Sequence, residues 1–334
     1  MIESLIEKGF AYKASDGTVY YRTRRFKEYG KLSHKNLDDL QGGNRSLLVS
    51  GEDQKEDPLD FVLWKPKKDK EPYWVSPWCN GRPGWHIECS VMSKKYLGDE
   101  IDIHAGGEDL VFPHHENEIA QSEAANGRPF ARYWMHNAFL NIDNKKMSKS
   151  AGNFFTVRDI AEKYDLQVLR FFMLSAHYRS PLNFSADLMD AAKNGYERIV
   201  TSVSNLNYLL ENVASEPMRE DEQALIEEAK GFIKKFDEAM DDDFNTADAI
   251  SVIFELVKFI NTNADSSHTA EFIKALKDEV VELSDVCGLI VERKEELLDS
   301  DIEGLIEERQ KARKEKNFAR ADEIRKELLD KGII

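Results

Sequence analysis

A lysine-rich loop is the first feature of this chain that could carry out chemistry. Residues 145–153 read Lys-Lys-Met-Ser-Lys-Ser-Ala-Gly-Asn. Lysine ammonium groups bind phosphate oxygens, Ser148 and Ser150 add hydroxyl donors, and Gly152 lets the backbone approach a ligand closely. This loop therefore predicts a polyphosphate site, although a solvated basic loop has the same composition.

A second group of residues has the spacing of a metal site. Cys89 and His114 are separated by twenty-four residues, and Glu118 follows His114 four residues later. That interval of four puts the imidazole and the carboxylate on one helix face, where the Cys89 thiolate would complete three ligands. Sulfur, imidazole and carboxylate together favour zinc over magnesium or calcium. From the residues alone, Cys89 could equally be a small buried side chain and His114 an ordinary helix-start histidine.

The elements that must position these residues alternate between helix and strand. Apolar spacing predicts a helix over 85–97 that carries Cys89, and a strand over 100–104 that leads into a loop at Gly106-Gly107. The next helix, about 113–126, would start near Pro113 and carry His114 and Glu118. Ligand groups between a strand and a helix are typical of the carboxyl edge of a parallel α/β sheet.

Short strands come before and after this region, and helices follow. Strands are predicted at 19–21, 61–64, 133–137 and 139–142. From about residue 157 helical periodicity dominates, with long segments near 186–213, 220–240, 244–263 and 268–287 and a final helical hairpin at about 301–316 and 318–331. We interpret the three adjacent acids Asp241, Asp242 and Asp243 as helix N-cap and dipole partners rather than as metal ligands.

Composition limits the partners. The chain has 334 residues, a formal charge of −16 and three cysteines, and it lacks a run of eighteen apolar residues. We expect a cytoplasmic protein without a disulfide framework, a membrane contact or a DNA contact. Any RNA contact must be local, and residues 309–331 carry nine Lys or Arg against five Asp or Glu. An exposed helix pair with ordinary ion pairs explains that basic segment equally well.

Longer strings of residues resemble a known family. Lys146-Met147-Ser148-Lys149-Ser150 is similar to the nucleotide loop of class I aminoacyl-tRNA synthetases. Three further strings resemble the zinc-site segments of cysteinyl-tRNA synthetases: Gly-Trp-His-Ile-Glu-Cys-Ser at 84–90, Asp-Ile-His-Ala-Gly-Gly-Glu-Asp-Leu at 102–110, and Phe-Pro-His-His-Glu-Asn-Glu-Ile-Ala-Gln at 112–121. The resemblance runs from Met1 to Ile334 and includes Asp-Phe-Asn-Thr-Ala at 243–247.

The resemblance implies an activity and a set of roles. The activity would be ATP-dependent activation of L-cysteine to cysteinyl adenylate and transfer of the acyl group to tRNA(Cys), with ATP accompanied by Mg²⁺ and with one zinc per chain. Zinc would select the substrate thiolate over serine. The implied metal ligands are Cys89, His114 and Glu118, and the implied ATP-binding residues are Lys146, Met147, Ser148, Lys149 and Ser150.

The same resemblance assigns residues to the substrate and to catalysis. Trp85 would wall the cysteine pocket, with His104 near it. Asp109 would hold the substrate ammonium, for which a buried carboxylate is needed, and its neighbour Glu108 is an alternative. Lys149 would be catalytic, with Lys146 assisting, because lysines stabilise charge on the pyrophosphate as the α-phosphorus is attacked.

The implied fold class is α/β: the second half of a Rossmann-type catalytic domain, followed by an all-α bundle and a C-terminal helical hairpin. The predicted domains are 1–140 (catalytic domain with the zinc site and an insertion), 141–185 (nucleotide loop and stem-contact linker), 186–295 (tRNA-binding bundle) and 296–334 (anticodon-side hairpin). We expect a monomer.

The chain also departs from the family pattern. A fourth zinc ligand, a cysteine near the N-terminus, and a His-x-Gly-His or His-x-Gly-Asn string are not found in the sequence. We therefore expect a fragment that lacks an N-terminal part and a short C-terminal tail and that is inactive alone. Two alternatives remain: a cysteine ligase acting on an amino sugar, and a noncatalytic tRNA-binding remnant.

Overall fold

The computed structural model describes residues 1–40, 54–142, 145–146, 155–292, 300–314 and 317–330. The chain divides into two compact units. The first comprises Met1–Lys163, Phe172–Met189 and Phe244–Thr246, and the second comprises Tyr164–Phe171, Asp190–Asp243 and Ala247–Ile334. The predicted four-domain division stays a prediction.

The first unit opens with a helix and an antiparallel sheet. The helix α1 (Ile2–Glu7) comes before the strands β1 (Ala11–Lys13) and β2 (Val19–Tyr21), and after the short helix α2 (Leu37–Leu40) come β3 (Phe61–Pro66) and β4 (Gly81–Pro83). These strands pair in the order β1-β2-β3-β4. Leu5, Val19, Tyr21 and Leu63 are buried in a core that also contains Ile87 and Ala120. That shared core anchors the sheet to the elements that carry the candidate site.

The candidate site is built on a strand, helix, strand unit. The helix α3 (Trp85–Leu97) is followed by β5 (Ile101–Gly107), α4 (Glu116–Asn126) and β6 (Ala131–Asn137), and β5 pairs with β6 in parallel. The predicted loop at Gly106-Gly107 is wrong, because both glycines pair with β6. The helix predicted at about 113–126 is observed as a π-helical turn, Val111–His115, in which only Phe112 is extended, followed by the α-helix from Glu116 to Asn126.

A third sheet completes the first unit. It consists of β7 (Leu140–Ile142), β8 (Lys145–Lys146) and β9 (Leu182–Phe184), with β7 in the middle, antiparallel to β8 and parallel to β9. The helix α5 (Val157–Ala161) starts with a capping box, in which Thr156 and Asp159 satisfy each other's backbone N–H groups. The rest of the predicted nucleotide loop, residues 147–154, lies outside the described residues.

Helices make up the rest of the chain. They are α6 (Leu166–Leu174), α7 (Ala186–Asn212), α8 (Glu220–Asp241), α9 (Thr246–Asn263), α10 (Ala270–Val286), α11 (Ser300–Lys314) and α12 (Phe318–Asp330). The interpretation as helix N-cap partners was wrong for two of the three acids, since Asp241 is the last residue of α8 and Asp242 is its C-cap. In the described residues, no helix is both long enough and apolar enough to cross a membrane.

Candidate metal site

The helix α4 and the turn before it bury polar side chains where a helix normally buries apolar ones. The exposed fraction is 5% or less for the following residues: His114, His115, Glu116, Asn117, Glu118, Gln121 and Ser122. Burying so many polar groups costs free energy unless each has a partner. The partners of these side chains therefore show what the helix is built to hold.

The three predicted metal ligands come together at the start of α4. Ligand atoms of Cys89, His114 and Glu118 all lie within 4.8 Å of one another. The interval of four residues brings the imidazole and the carboxylate together, with His114 Nε2 at 3.7 Å from Glu118 Oε1. This Oε1 is buried and has no hydrogen-bond partner. An orphaned carboxylate oxygen beside a sulfur and an imidazole nitrogen fits a zinc ion, which takes these three donor types.

The other oxygen of Glu118 faces a second group of histidines. His104 Nε2 lies 2.9 Å from Glu118 Oε2, and His115 Nε2 lies 3.9 Å from the same oxygen. His104, His115 and Glu118 also satisfy the spacing of a metal site. In the group with Cys89 and His114, Glu118 offers Oε1, which has no hydrogen-bond partner. In the group with His104 and His115, it offers Oε2, which already forms a hydrogen bond with His104. Of the two groups, Cys89, His114 and Glu118 therefore have the donor atoms that better fit a metal ion.

The protonation states suit metal binding. Burial lowers the pKa of His114, and burial together with the neighbouring His104 and His136 lowers the pKa of His115 to about 3. Both imidazoles are therefore neutral near pH 7, which is the form that binds metals. Burial and the Glu118 and Glu88 carboxylates raise the pKa of the Cys89 thiol to about 11. A bound divalent cation reverses that preference, because a coordinating thiol loses its proton.

Two histidines that the sequence interpretation missed complete this network. His86 Nδ1 lies 2.7 Å from His114 Nδ1, and His136 Nε2 lies 2.8 Å from His115 Nδ1. Burial, His114 and Lys65 lower the pKa of His86 to about 4, so His86 is neutral. If His114 held a metal through Nε2, its Nδ1–H would donate to His86 Nδ1 and so fix the ring orientation. His86 could have been found from its interval of three residues to Cys89 on α3.

The predicted substrate residues lie in different environments. The Trp85 ring is 4.4 Å from the His114 ring, centroid to centroid, so it can wall a pocket over the metal ligands. His104 is held by Glu118 as described. Asp109 and its alternative Glu108 are both exposed in a short turn after β5, and the assignment of either one to the substrate ammonium stays a prediction.

The loop residues can be located only in part. Lys146 belongs to β8, where it pairs with Asn141. Met147, Ser148, Lys149 and Ser150 lie outside the described residues, so their assignment to ATP stays a prediction.

Glu116 has a structural task. Its Oε1 accepts a hydrogen bond from Gly30 N at 2.8 Å, and its Oε2 accepts one from Ser33 N at 2.9 Å. These bonds tie the segment after β2 to the start of α4. Glu116 thereby holds the metal-ligand helix in place without contributing a ligand atom to either group of metal donors.

Family comparisons assign the chain to a known class of enzyme. Residues 1–194 match the family described as tRNA synthetases class I (C) catalytic domain, residues 235–292 match the DALR domain, and residues 295–334 match the cysteinyl-tRNA ligase anticodon binding domain. A putative arginyl-tRNA synthetase from Campylobacter jejuni has a similar fold, with a TM-score of 0.55 and 14% identity over 88% of this chain and 61% of that chain. The fold and the site thus define a class I aminoacyl-tRNA synthetase.

Curated relatives narrow this to one family. The cysteine–tRNA ligases of Lachnospira eligens, Lachnoclostridium phytofermentans and Clostridioides difficile are 69%, 60% and 56% identical to the chain. Each match covers the whole chain and 71% of the relative. The chain belongs to the cysteinyl-tRNA synthetase family.

Proposed function

We propose that this chain contributes the substrate-selecting site of a cysteine–tRNA ligase. The observation that carries the proposal is the buried, unpartnered Glu118 Oε1 beside Cys89 and His114. Stability alone does not explain an unpartnered buried oxygen at a point where a sulfur and an imidazole nitrogen converge. The sulfur and imidazole donors also favour a metal such as zinc, which binds a thiolate substrate well.

Zinc held by Cys89, His114 and Glu118 would supply a soft Lewis acid whose remaining position accepts the sulfur of cysteine as a thiolate. Serine would be rejected because its hydroxyl is a poor zinc ligand near neutral pH. Trp85 then covers the side chain of the substrate and excludes water. Discrimination by the donor set removes the need for hydrolytic editing, which weaker apolar contacts would require.

The reaction needs little proton transfer from the protein. The carboxylate oxygen of cysteine attacks the α-phosphorus of ATP, and pyrophosphate leaves with its Mg²⁺. A hydroxyl at the 3′ end of the tRNA then attacks the carbonyl carbon, and AMP leaves. By resemblance, Lys149 and Lys146 stabilise the charge on the phosphates, with Met147, Ser148 and Ser150 forming the rest of the nucleotide loop. The match of residues 295–334 to an anticodon binding domain supports an RNA acceptor rather than an amino sugar.

Cobalt substitution tests the proposal directly, because Co²⁺ adopts zinc sites and its absorption reports a bound thiolate. We expect one cobalt ion per chain, and L-cysteine should add a sulfur-to-cobalt charge-transfer band. L-serine at the same concentration should leave the spectrum unchanged. A chain that binds cobalt but gives the same spectrum with both amino acids would refute selection by sulfur, and a chain that binds no metal would refute the site.

A further inference from the structure

The strand pair β3–β4 places two cations side by side. Lys65 in β3 lies directly opposite Arg82 in β4, so both side chains extend from the same face of the sheet. Like charges in directly opposite positions destabilise an antiparallel pair. Arg82 is relieved of this cost, because its Nε donates a 2.8 Å hydrogen bond to the Glu71 carboxylate. Lys65 is not relieved, since among the described residues no hydrogen bond or ion pair to its ammonium is found.

The Lys65 side chain is half-buried in the wall of a cavity of about 340 Å³. Burial, followed by the charges of Arg82 and Lys68, lowers the pKa of the Lys65 ammonium, and the carboxylates of Glu71 and Glu88 oppose this change. Burial and a neighbouring cation are the two conditions that make a lysine a nucleophile, because both favour the neutral amine. Lys65 therefore combines space for a ligand with an amine that loses its proton easily.

The other charged groups of the cavity wall favour an anion. Lys55 lines the same wall and offers a second ammonium group. Asp60 competes little for these lysines, because its carboxylate accepts hydrogen bonds from Tyr12 Oη at 2.8 Å and from Thr23 N at 3.0 Å. Burial also raises the pKa of Asp60, which weakens its negative charge. The cavity is therefore electropositive, and it suits a small molecule that carries a phosphate.

An acyl phosphate, the mixed anhydride of a carboxylic and a phosphoric acid, matches both lysines. Its carbonyl carbon is attacked by a neutral amine, and its phosphate leaves more easily beside a cation. Lys65 has the features of the amine, and Lys55 can supply the cation. His86, which also lines the cavity, is neutral and adds no charge to it.

We propose that Lys65 is an acylation site, whose Nζ takes the acyl group from an acyl phosphate bound in this cavity while Lys55 holds the phosphate. A carbon–nitrogen bond forms between the acyl carbonyl and the neutral Nζ, the bond from that carbonyl to the phosphate oxygen breaks, and the proton of the amine leaves with the phosphate group. The product is an uncharged amide, so acylation also removes the repulsion between Lys65 and Arg82. This modification goes beyond the proposed function and requires neither a bound metal nor RNA.

Acetyl phosphate tests the site on the full chain, with acetylated peptides quantified over time by mass spectrometry. We expect Lys65 to be acetylated several-fold faster than Lys68, although Lys68 is exposed and Lys65 is half-buried. In concentrated guanidinium chloride the two rates should become equal, because unfolding removes the cavity and separates Lys65 from Arg82. If Lys65 reacts no faster than Lys68 in the folded chain, the proposal is overturned.

Three variants test the cause of the reactivity. Arg82→Gln removes the neighbouring cation and releases Glu71, so it should slow acetylation of Lys65 to the rate of an exposed lysine. Arg82→Lys keeps the charge and should retain most of the excess rate. Arg132→Gln is the matched control, because Arg132 is exposed, has an ion pair of its own at 2.8 Å and does not line the cavity. Equal slowing in both glutamine variants, or no slowing in Arg82→Gln, contradicts the proposal.

Two further measurements identify the donor. Lys55→Gln should slow acetylation of Lys65 by acetyl phosphate several-fold and leave the reaction with N-acetoxysuccinimide unchanged, since that neutral reagent carries no phosphate. The same effect with both reagents, or no effect with either, contradicts an acyl phosphate as the donor. Acetyl adenylate that acts faster than acetyl phosphate supports a nucleotide-bound donor, such as the adenylate of the proposed function, and equal rates support a free acyl phosphate. Failure of the acylation at Lys65 leaves the cobalt test of the proposed function unaffected.

Discussion

Two helices of this chain bury opposite kinds of side chain. In the first unit, α4 buries Glu116, Asn117, Glu118, Gln121 and Ser122, and its buried apolar residues are Ile119, Ala120 and Ala124. In the second unit, α10 buries Phe272, Ile273, Leu276, Val280 and Leu283 along one face. The face of α10 is what a helix needs in order to fold against its neighbours. The face of α4 is costly for folding unless its polar groups have partners. Glu116 has them in the Gly30 and Ser33 amides, whereas Glu118 Oε1 has none, so Glu118 is the residue that a ligand would explain.

The partners of the buried acids sharpen this contrast. Glu118 has one oxygen on His104 and the other without a partner, at a point where sulfur and imidazole converge. On α10, Glu279 also has an unpartnered buried oxygen, but within the described parts of the chain no group of possible metal donors includes it. An orphaned oxygen thus indicates a site only where other donors surround it. Where they do not, it indicates a cost in stability.

The largest expected effect tests whether the unpartnered oxygen of Glu118 belongs to a metal site or is only a cost in stability. Glu118→Gln keeps the shape of the side chain and removes its charge, so it should lower zinc affinity on the order of a thousandfold, more than the 10- to 100-fold cost of losing a supporting hydrogen bond around a metal. Zinc per chain after dialysis against a weak chelator should fall from about one to near zero. Glu123→Gln on the same helix is the control. Its carboxylate pairs with Lys31 at 2.6 Å, away from the ligand atoms, and zinc content should not change. Full zinc retention in Glu118→Gln would remove the metal interpretation of α4.

The contrast also explains what the sequence could predict. The α10 region was predicted as 268–287 and is observed at Ala270–Val286, because one apolar face is visible as periodicity. The interval between His114 and Glu118 was equally readable, since it is local to one turn of helix. His136 was missed because it reaches the site from β6, which only the packed structure brings there, whereas His86 could have been inferred from its interval of three residues to Cys89 on α3. The interpretation of Asp241 and Asp242 failed because acids at a helix boundary fit either side of it.

Removal of an apolar side chain from α10 should produce the next largest effect. Phe272 is fully buried, and Phe272→Ala should destabilise the second unit by about 3–4 kcal/mol through lost burial and a residual cavity. Hydrogen exchange of the α10 amides measures this locally. Zinc content should stay unchanged, because Phe272 supplies no ligand atom. Tyr208→Ala is the control, since the Tyr208 side chain is 66% exposed and its removal should cost well under 1 kcal/mol. If Phe272→Ala also released zinc, metal binding could not be assigned to α4 and stability to α10 as separate roles.

The smallest effect concerns Glu279 and depends on pH. Burial, with repulsion from Glu282 and Glu227, raises the pKa of Glu279 to about 7, and Lys230 opposes the shift. Because the folded state holds this proton more tightly than the unfolded state, the stability that Glu279 contributes is complete below about pH 4.5 and is lost as the pH rises through 7.

Glu279→Gln stays neutral at every pH and should therefore escape this loss. We expect it to match the wild type at pH 4.5 and to exceed it by about 1–3 kcal/mol at pH 8, measured by exchange of the α10 amides. Glu282→Gln removes an exposed carboxylate from the same helix and should change stability by less than about 0.5 kcal/mol at both values. A variant of Glu279 that is less stable than the wild type at pH 8 would mean that its ionised carboxylate has a stabilising partner. The unpartnered oxygen on α10 would then resemble the one on α4, and the distinction between a site and a cost in stability would fail.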